Sequence, residues 1–255
     1  MRQSLLIVLV LWTSVAYAED GQSNAAKQYQ ELVEGFEEEG GTRTFAKRFL
    51  TLAQEYPEDA AAADALCWVV RKVKGRPDTD TALDLLREKH GTSLTLKPLL
   101  ASVVTSRSAR AEPLLREIMQ RHPDESTRGH ACFYLARLLD SEAALVEQIE
   151  AHPELETRVR QYYGKLYGQH LLTLDPDELE EERETLYEEL ERSFPTVVIG
   201  DQTGEQLAKK ALFRMRHLTV GKVAPEIEGE DVDGQQLKLS DFRGNVVMLT
   251  FWGHW

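Results

Sequence analysis

A mainly α-helical protein with a short α/β segment at its C-terminal end is predicted, on three observations. From Asn24 to about Leu218 the apolar residues recur at helical spacing, and strand-like alternation is nearly absent. Proline, glycine and histidine breaks divide that stretch into successive segments. At Gly221 the pattern changes to turn residues followed by a near-continuous β-branched and aromatic run. The chain has 255 residues, a net charge of −13, 42% hydrophobic and 29% charged residues, and two cysteines. This is enough apolar sequence for one large or two modest cores, and it excludes a disordered chain, a disulfide-dense mini-fold and a multi-span membrane protein. The acidic balance also argues against nucleic acid or anionic lipid as a partner, because their phosphates repel the chain as a whole.

Residues 1–18, MRQSLLIVLVLWTSVAYA, combine one basic residue, Arg2, with an apolar run from Leu5 to Trp12 and small residues at Ala16 and Ala18. That layout predicts a secretory signal peptide cleaved after Ala18. The run is far too short to cross a bilayer as an anchor. Export to the periplasm or another extracytoplasmic space is therefore expected, where disulfides can persist.

The helical domain is expected over residues 19–218. Tyr29, Leu32, Val33 and Phe36 share one helix face, and Gly40-Gly41 ends that segment. Phe45, Phe49, Leu52, Ala53 and Tyr56 form a second stripe, closed by Pro57, and Ala62, Ala65, Leu66, Val69 and Val73 a third, closed by Gly75 and Pro77. Pro98, Pro113 and Pro176 suit a first helical turn, where a missing amide hydrogen costs nothing, and Asp175 is an N-cap before Pro176. The stretch Glu55 to Val70, EYPEDAAAADALCWVV, lines up with Arg121 to Ala136, RHPDESTRGHACFYLA. Both end a helix, pass a proline and restart behind acidic caps. Similar breaks at His90-Gly91, His152-Pro153 and Phe194-Pro195 give spacings of roughly 30 to 40 residues, as stacked helix-turn-helix repeats do. The pattern resembles a degenerate tetratricopeptide-type array, and an irregular helical bundle is the alternative.

Within this body Cys67 and Cys132 read as separate buried core residues rather than a disulfide or reactive pair. The seven histidines stand singly, without ligand spacing, so no metal site and no cofactor are expected. The acidic run Glu178 to Glu191 carries Leu179, Leu186, Tyr187 and Leu190 on one face, which predicts a helix with a solvated acidic side. Arg158, Arg160 and Lys165 are its expected partners on adjacent helices. The body shows no acid-base pair, phosphate loop or nucleophile elbow.

The third region, residues 219–255, is of another kind. Asp233-Gly234 is a turn between strands at Glu230 to Val232 and Gln236 to Leu239. Ser240 caps a one-turn helix through Phe242, and Gly244 releases the chain. Val246 to Trp252 reads as a central strand covered on both faces.

These residues resemble a family. Gly221-Lys222-Val223-Ala224-Pro225, Asp233-Gly234, Leu239-Ser240-Asp241-Phe242-Arg243-Gly244, Val246-Val247 and Phe251-Trp252-Gly253-His254-Trp255 occur in the order found at the start of exported thioredoxin-like redoxins. The resemblance is to the TlpA/ResA-like thiol-disulfide oxidoreductases and, more broadly, to the AhpC/TSA peroxiredoxin superfamily. It implies an incomplete α/β thioredoxin fold, a β-hairpin plus one central strand, in which Trp252, Gly253, His254 and Trp255 line the active-site rim. It also implies that a cysteine of a Cys-x-x-Cys pair follows the position of Trp255 at a helix N-terminus, where the helix dipole stabilises the attacking thiolate and the second cysteine resolves the mixed disulfide.

No catalytic residue of that family lies within 221–255. The expected explanation is a UGA codon for selenocysteine after Trp255, with a true truncation or frameshift as the second possibility and a strand donated to a partner sheet as the third. The implied function is thiol-disulfide exchange, with a protein disulfide or a peroxide as substrate and a thiol as electron donor. Disulfide exchange is preferred to peroxidase chemistry, because no proline follows Pro225 where a peroxiredoxin carries its Pro-x-x-x-Thr-x-x-Cys stretch. The competing class is a non-enzymatic helical-repeat protein that binds a protein or peptide partner.

Overall fold

The computed structural model describes residues 23–253. The leader read over residues 1–18 lies outside the described residues, as do His254 and Trp255. The fold is mainly helical, as its apolar spacing predicts. The helices are α1 (Asn24–Glu39), α2 (Thr42–Glu55), α3 (Ala60–Lys72), α4 (Pro77–His90), α5 (Leu100–Val104), α6 (Ala111–Arg121), α7 (Glu125–Ala151), α8 (Glu156–Tyr163), α9 (Lys165–Leu171), α10 (Pro176–Ser193) and α11 (Gly204–His217). Two short antiparallel pairs accompany them: β1 (Val198–Ile199) with β2 (Gln202–Thr203), and β3 (Glu228–Glu230) with β4 (Gln236–Lys238). Among the described residues no helix is long and apolar enough to cross a membrane. The chain divides into two compact units, one up to Leu186 and one from Tyr187, the division falling within α10.

Helix starts follow the local chemistry of the sequence. Asp59 accepts a hydrogen bond from the Ala61 amide to open α3, and Asp124 accepts one from the Thr127 amide to open α7. Both aspartates follow a proline in the two similar stretches, Asp59 two residues after Pro57 and Asp124 one residue after Pro123, so the caps are offset by one position. Asp175 caps α10 through the Asp177 and Glu178 amides at 2.9 and 3.3 Å. Pro98 differs from expectation: it lies inside a 3-10 segment, Leu94–Leu99, that leads into α5. The two similar stretches also end differently, since α3 spans 13 residues and α7 continues for 27.

In the first unit the paired helices α2 and α3, and likewise α6 and α7, pack closely, and α4 lies against both α3 and α6. Phe45, Phe49 and Leu66 are almost fully buried, each contributing about 1.5–3 kcal/mol by leaving water. Phe49 stacks on Trp68 at 4.3 Å between ring centroids, and Phe36 meets the same indole edge-on at 4.9 Å. A satellite cluster of Ile149, Val159, Tyr167 and Leu171 joins α7, α8 and α9. There the loop before α4 meets the loop between α8 and α9, backbone against backbone. A β-carbon on Gly75 would stand 3.0 Å from the Tyr163 carbonyl oxygen, and one on Gly164 would stand 2.9 Å from that of Gly75. Both glycines have positive φ, 62° and 87°, so backbone conformation and space each favour glycine. Arg107 lies over the rings of Tyr162 and Tyr163 at 4.5 and 5.1 Å.

The acidic run forms α10 with Leu179, Leu186, Tyr187 and Leu190 buried. Its ion-pair partners differ from those expected. Arg116 on α6 reaches Glu182, whereas Arg160 pairs with Glu156 one turn away on its own helix, a shorter reach for a flexible side chain.

In the second unit, Phe194, Val197, Ile199, Ala208, Leu212 and Met215 are buried. The pair β1–β2 lies within the stretch whose apolar spacing reads as helical; strands of two residues are too short for alternation to register. The predicted Val246 to Trp252 strand has no hydrogen-bonded ladder among the described residues. Its composition suits a covered strand, yet pairing requires a neighbour, and among the described residues β3 and β4 pair only with each other.

Candidate functional site

The C-terminal segment builds a small frame around Glu226. Its Oε1 accepts from the Ile227 amide at 3.2 Å and the Ser240 amide at 2.9 Å, and bonding by Ser240 holds the carboxyl below its usual range. The Leu239 amide donates to the Ile227 carbonyl at 2.9 Å, tying the 3-10 turn Leu239–Phe242 to the strand entry. The hairpin lies slightly outside its predicted position. Asp231 Oδ1 accepts from the amides of Asp233 and Gln235 at 2.9 and 2.8 Å, and Gly234 takes a positive φ of 76°. An Asx-type loop therefore occupies Asp231 to Gln235, and the strands flank it.

Ile227, Leu237, Leu239, Phe242, Val247 and Leu249 line an apolar groove of about 180 Å³. Of the predicted rim residues, Trp252 and Gly253 are both exposed, Trp252 at 88%. His254 and Trp255 are outside the described residues. Val246, Met248 and Phe251 are also largely exposed, at 103%, 88% and 87%. An apolar run of this kind is a surface for further packing rather than a finished core.

Neither cysteine belongs to this segment. Cys67 and Cys132 are buried thiols on α3 and α7, and burial pushes the Cys67 thiol up to about 12. The Cys132 thiol donates to the Leu186 carbonyl at 3.3 Å. A thiol held protonated, as Cys67 is, is a poor nucleophile.

The first unit also brings together three side chains that sequence spacing does not connect. Glu112 on α6, Glu142 on α7 and His170 on α9 each place one donor atom within 4.8 Å of the others. Glu142 is 1% exposed. Tyr167 donates to Glu142 Oε1 at 3.0 Å, and His170 Nε2 lies 3.4 Å from the same oxygen. The Glu142 carboxylate beside it raises the His170 pKa against the opposing effect of burial. Arg116 donates twice to Glu112 Oε1, at 2.8 and 2.7 Å. No signal in the sequence marks this cluster, because each residue comes from a different helix.

No family model matches the chain, and no solved structure matches it. Two curated relatives are similar over 59 residues. The thiol-disulfide oxidoreductase ResA of Bacillus cereus (strain ATCC 10987 / NRS 248) is 30% identical there, and that of Bacillus thuringiensis subsp. konkukian (strain 97-27) is 42% identical. Each match covers 23% of this chain and 34% of the relative, so the chain spans about a third of the length of the curated relatives it matches.

Proposed function

We propose that residues 219–255 are the opening part of a thioredoxin-like redoxin domain and that the protein serves thiol-disulfide exchange outside the cytoplasm. The carrying observation is the partial similarity to two thiol-disulfide oxidoreductases. It is supported by the G-K-x-A-P entry, the β3–β4 hairpin, the 3-10 turn at Leu239–Phe242 and the exposed apolar run that ends in Trp252. In this reading the run from Val246 becomes a central strand when the rest of a sheet is present. By the family resemblance, a nucleophilic cysteine or selenocysteine is expected at the position that follows the one matched by Trp255. Trp252, Gly253, His254 and Trp255 then form the rim against which a protein disulfide, or a peroxide, docks, with a thiol as electron donor. The helical region recruits or positions partners for the redox domain.

The test begins with the gene. A Cys-x-x-Cys-like stretch encoded in frame beyond the Trp255 codon, with cysteine or selenocysteine at its first position, supports the proposal. The polypeptide that includes this stretch is then compared with the 255-residue chain for dithiol-dependent disulfide reduction. Activity in the longer protein alone is the expected result. An inactive longer protein defeats the enzyme reading.

A second reading, that the protein acts through its helices as a non-enzymatic repeat-like scaffold, is favoured by one observation. The helical unit has an extensive buried core, whereas nearly every residue from Gly221 to Gly253 is exposed. Tight partner binding by the full chain without any reductase activity in the longer protein would select it.

A further inference from the structure

Glu142 is an acidic side chain in the interior of a helical unit, and a charge there needs compensation. Part of it is provided: Tyr167 donates to Oε1. The other oxygen, Oε2, is buried and meets no hydrogen-bond partner, and His170 Nε2, also buried, lies 3.4 Å from Oε1 without hydrogen-bonding to it. Glu112 completes the group from the start of α6. Two carboxylates and an imidazole thus converge, with an unpartnered lone-pair donor on the most buried member.

We propose that Glu112, Glu142 and His170 form a binding site for a divalent cation of the Zn2+ class. The donor set of two oxygens and one nitrogen is one that Zn2+ accepts, and three protein ligands leave a position for water. Ligand distances of about 2.0–2.2 Å place tetrahedral donors roughly 3.4 Å apart, so atoms now within 4.8 Å need side-chain movements on the order of 1 Å to close on one ion. The hydrogen bond from Tyr167 orients the Glu142 carboxylate for this role, as outer partners of metal ligands commonly do.

One of the three ligands, Glu112, also borders open space. Glu112, Asp175, Glu178 and Glu182 line an adjoining cavity of about 210 Å³, together with Leu139 and Leu179. Four carboxylates at one mouth concentrate cations there. Arg116, bound to Glu112 and Glu182, offsets part of that charge and holds the Glu112 carboxylate in place.

The test uses the full chain, stripped with chelator and titrated calorimetrically with Zn2+ alone, with circular dichroism to verify helix content of each variant. The expected result is one Zn2+ per chain. Glu112→Gln and His170→Gln, both at partly exposed side chains, are each expected to weaken binding by at least about tenfold, and Tyr167→Phe by about tenfold. His152→Gln, an exposed imidazole beside Glu154, is expected to leave affinity unchanged. Absence of binding at millimolar Zn2+ overturns the proposal. So does binding that Glu112→Gln and His170→Gln leave unaltered in folded protein.

Discussion

The carbonyl oxygen of Phe194 stands 2.2 Å from the position that a β-carbon on Gly204 would occupy. Gly204 opens α11, and its amide donates to the Val197 carbonyl at 2.8 Å, so the approach is fixed by the backbone on both sides. Gly204→Ala must displace a main-chain atom and is expected to cost about 2–3 kcal/mol. Gly229→Ala, with open space around the same position, is the control and is expected to change little. Urea denaturation midpoints of the two variants check this.

Thr203 begins α11 with a reciprocal cap: its hydroxyl accepts from the Gln206 amide, and the Gln206 side chain accepts from the Thr203 amide at 3.0 Å. Thr203→Ala is expected to destabilise the protein by about 1 kcal/mol. Thr203→Ser, which keeps the oxygen, should recover most of that loss in the same denaturation experiment.

Burial lowers the pKa of both His90 and His130. A histidine depressed in the folded state binds protons less readily there than in the unfolded chain. Stability is therefore retained above the unfolded pKa of about 6.5 and is lost as pH falls through it. Around His130 the Ser126 carbonyl oxygen at 2.7 Å and Asp124 oppose the shift, while Lys97 reinforces it. His130→Gln is expected to flatten the decline in melting temperature between neutral and mildly acidic pH. An unchanged slope contradicts this assignment.

Cys67 and Cys132 are expected to resist thiol reagents in the native protein and to react as two thiols after denaturation. The raised pKa of Cys67 and the burial of both slow reaction by leaving little accessible thiolate. Reagent counts in native buffer and in guanidinium chloride test this, and fewer than two thiols in denaturant would reveal a disulfide.

Met248 and Phe251 lie on the exposed apolar run. The 255-residue chain is expected to self-associate through it, and Met248→Lys with Phe251→Lys should shift the sedimentation profile toward monomer. A wild-type chain that stays monomeric at high concentration removes the basis for this expectation.

Helix boundaries were the most legible part of the fold because caps are local. Asp59, Asp124 and Asp175 each bond amides two or three residues ahead, so neighbouring sequence contains the whole interaction. The β3–β4 hairpin was legible for the same reason, through Asp233-Gly234, although Asp231 and Val232 lie in the loop and not in the strand expected there. Val246 to Trp252 shows the limit of such reading: composition reports how a segment prefers to be covered, while a ladder depends on residues elsewhere. The Glu112, Glu142 and His170 cluster was not legible, since helices α6, α7 and α9 must first pack before its members meet. Arg116 likewise finds Glu182 only after the helices are in place.

The contact between Gly75 and Gly164 bears on how the helical unit comes apart. In a linear stack each hairpin touches only its neighbours, so unfolding can proceed from an end inward, one unit at a time. Here the loop before α4 abuts the loop between α8 and α9, and Arg107 lies over Tyr162 beside it. Such long-range closure couples early and late helices, and it must form against the entropy of the intervening chain. The unit should melt as one cooperative body, and a bulky residue at Gly164 should loosen its two ends together.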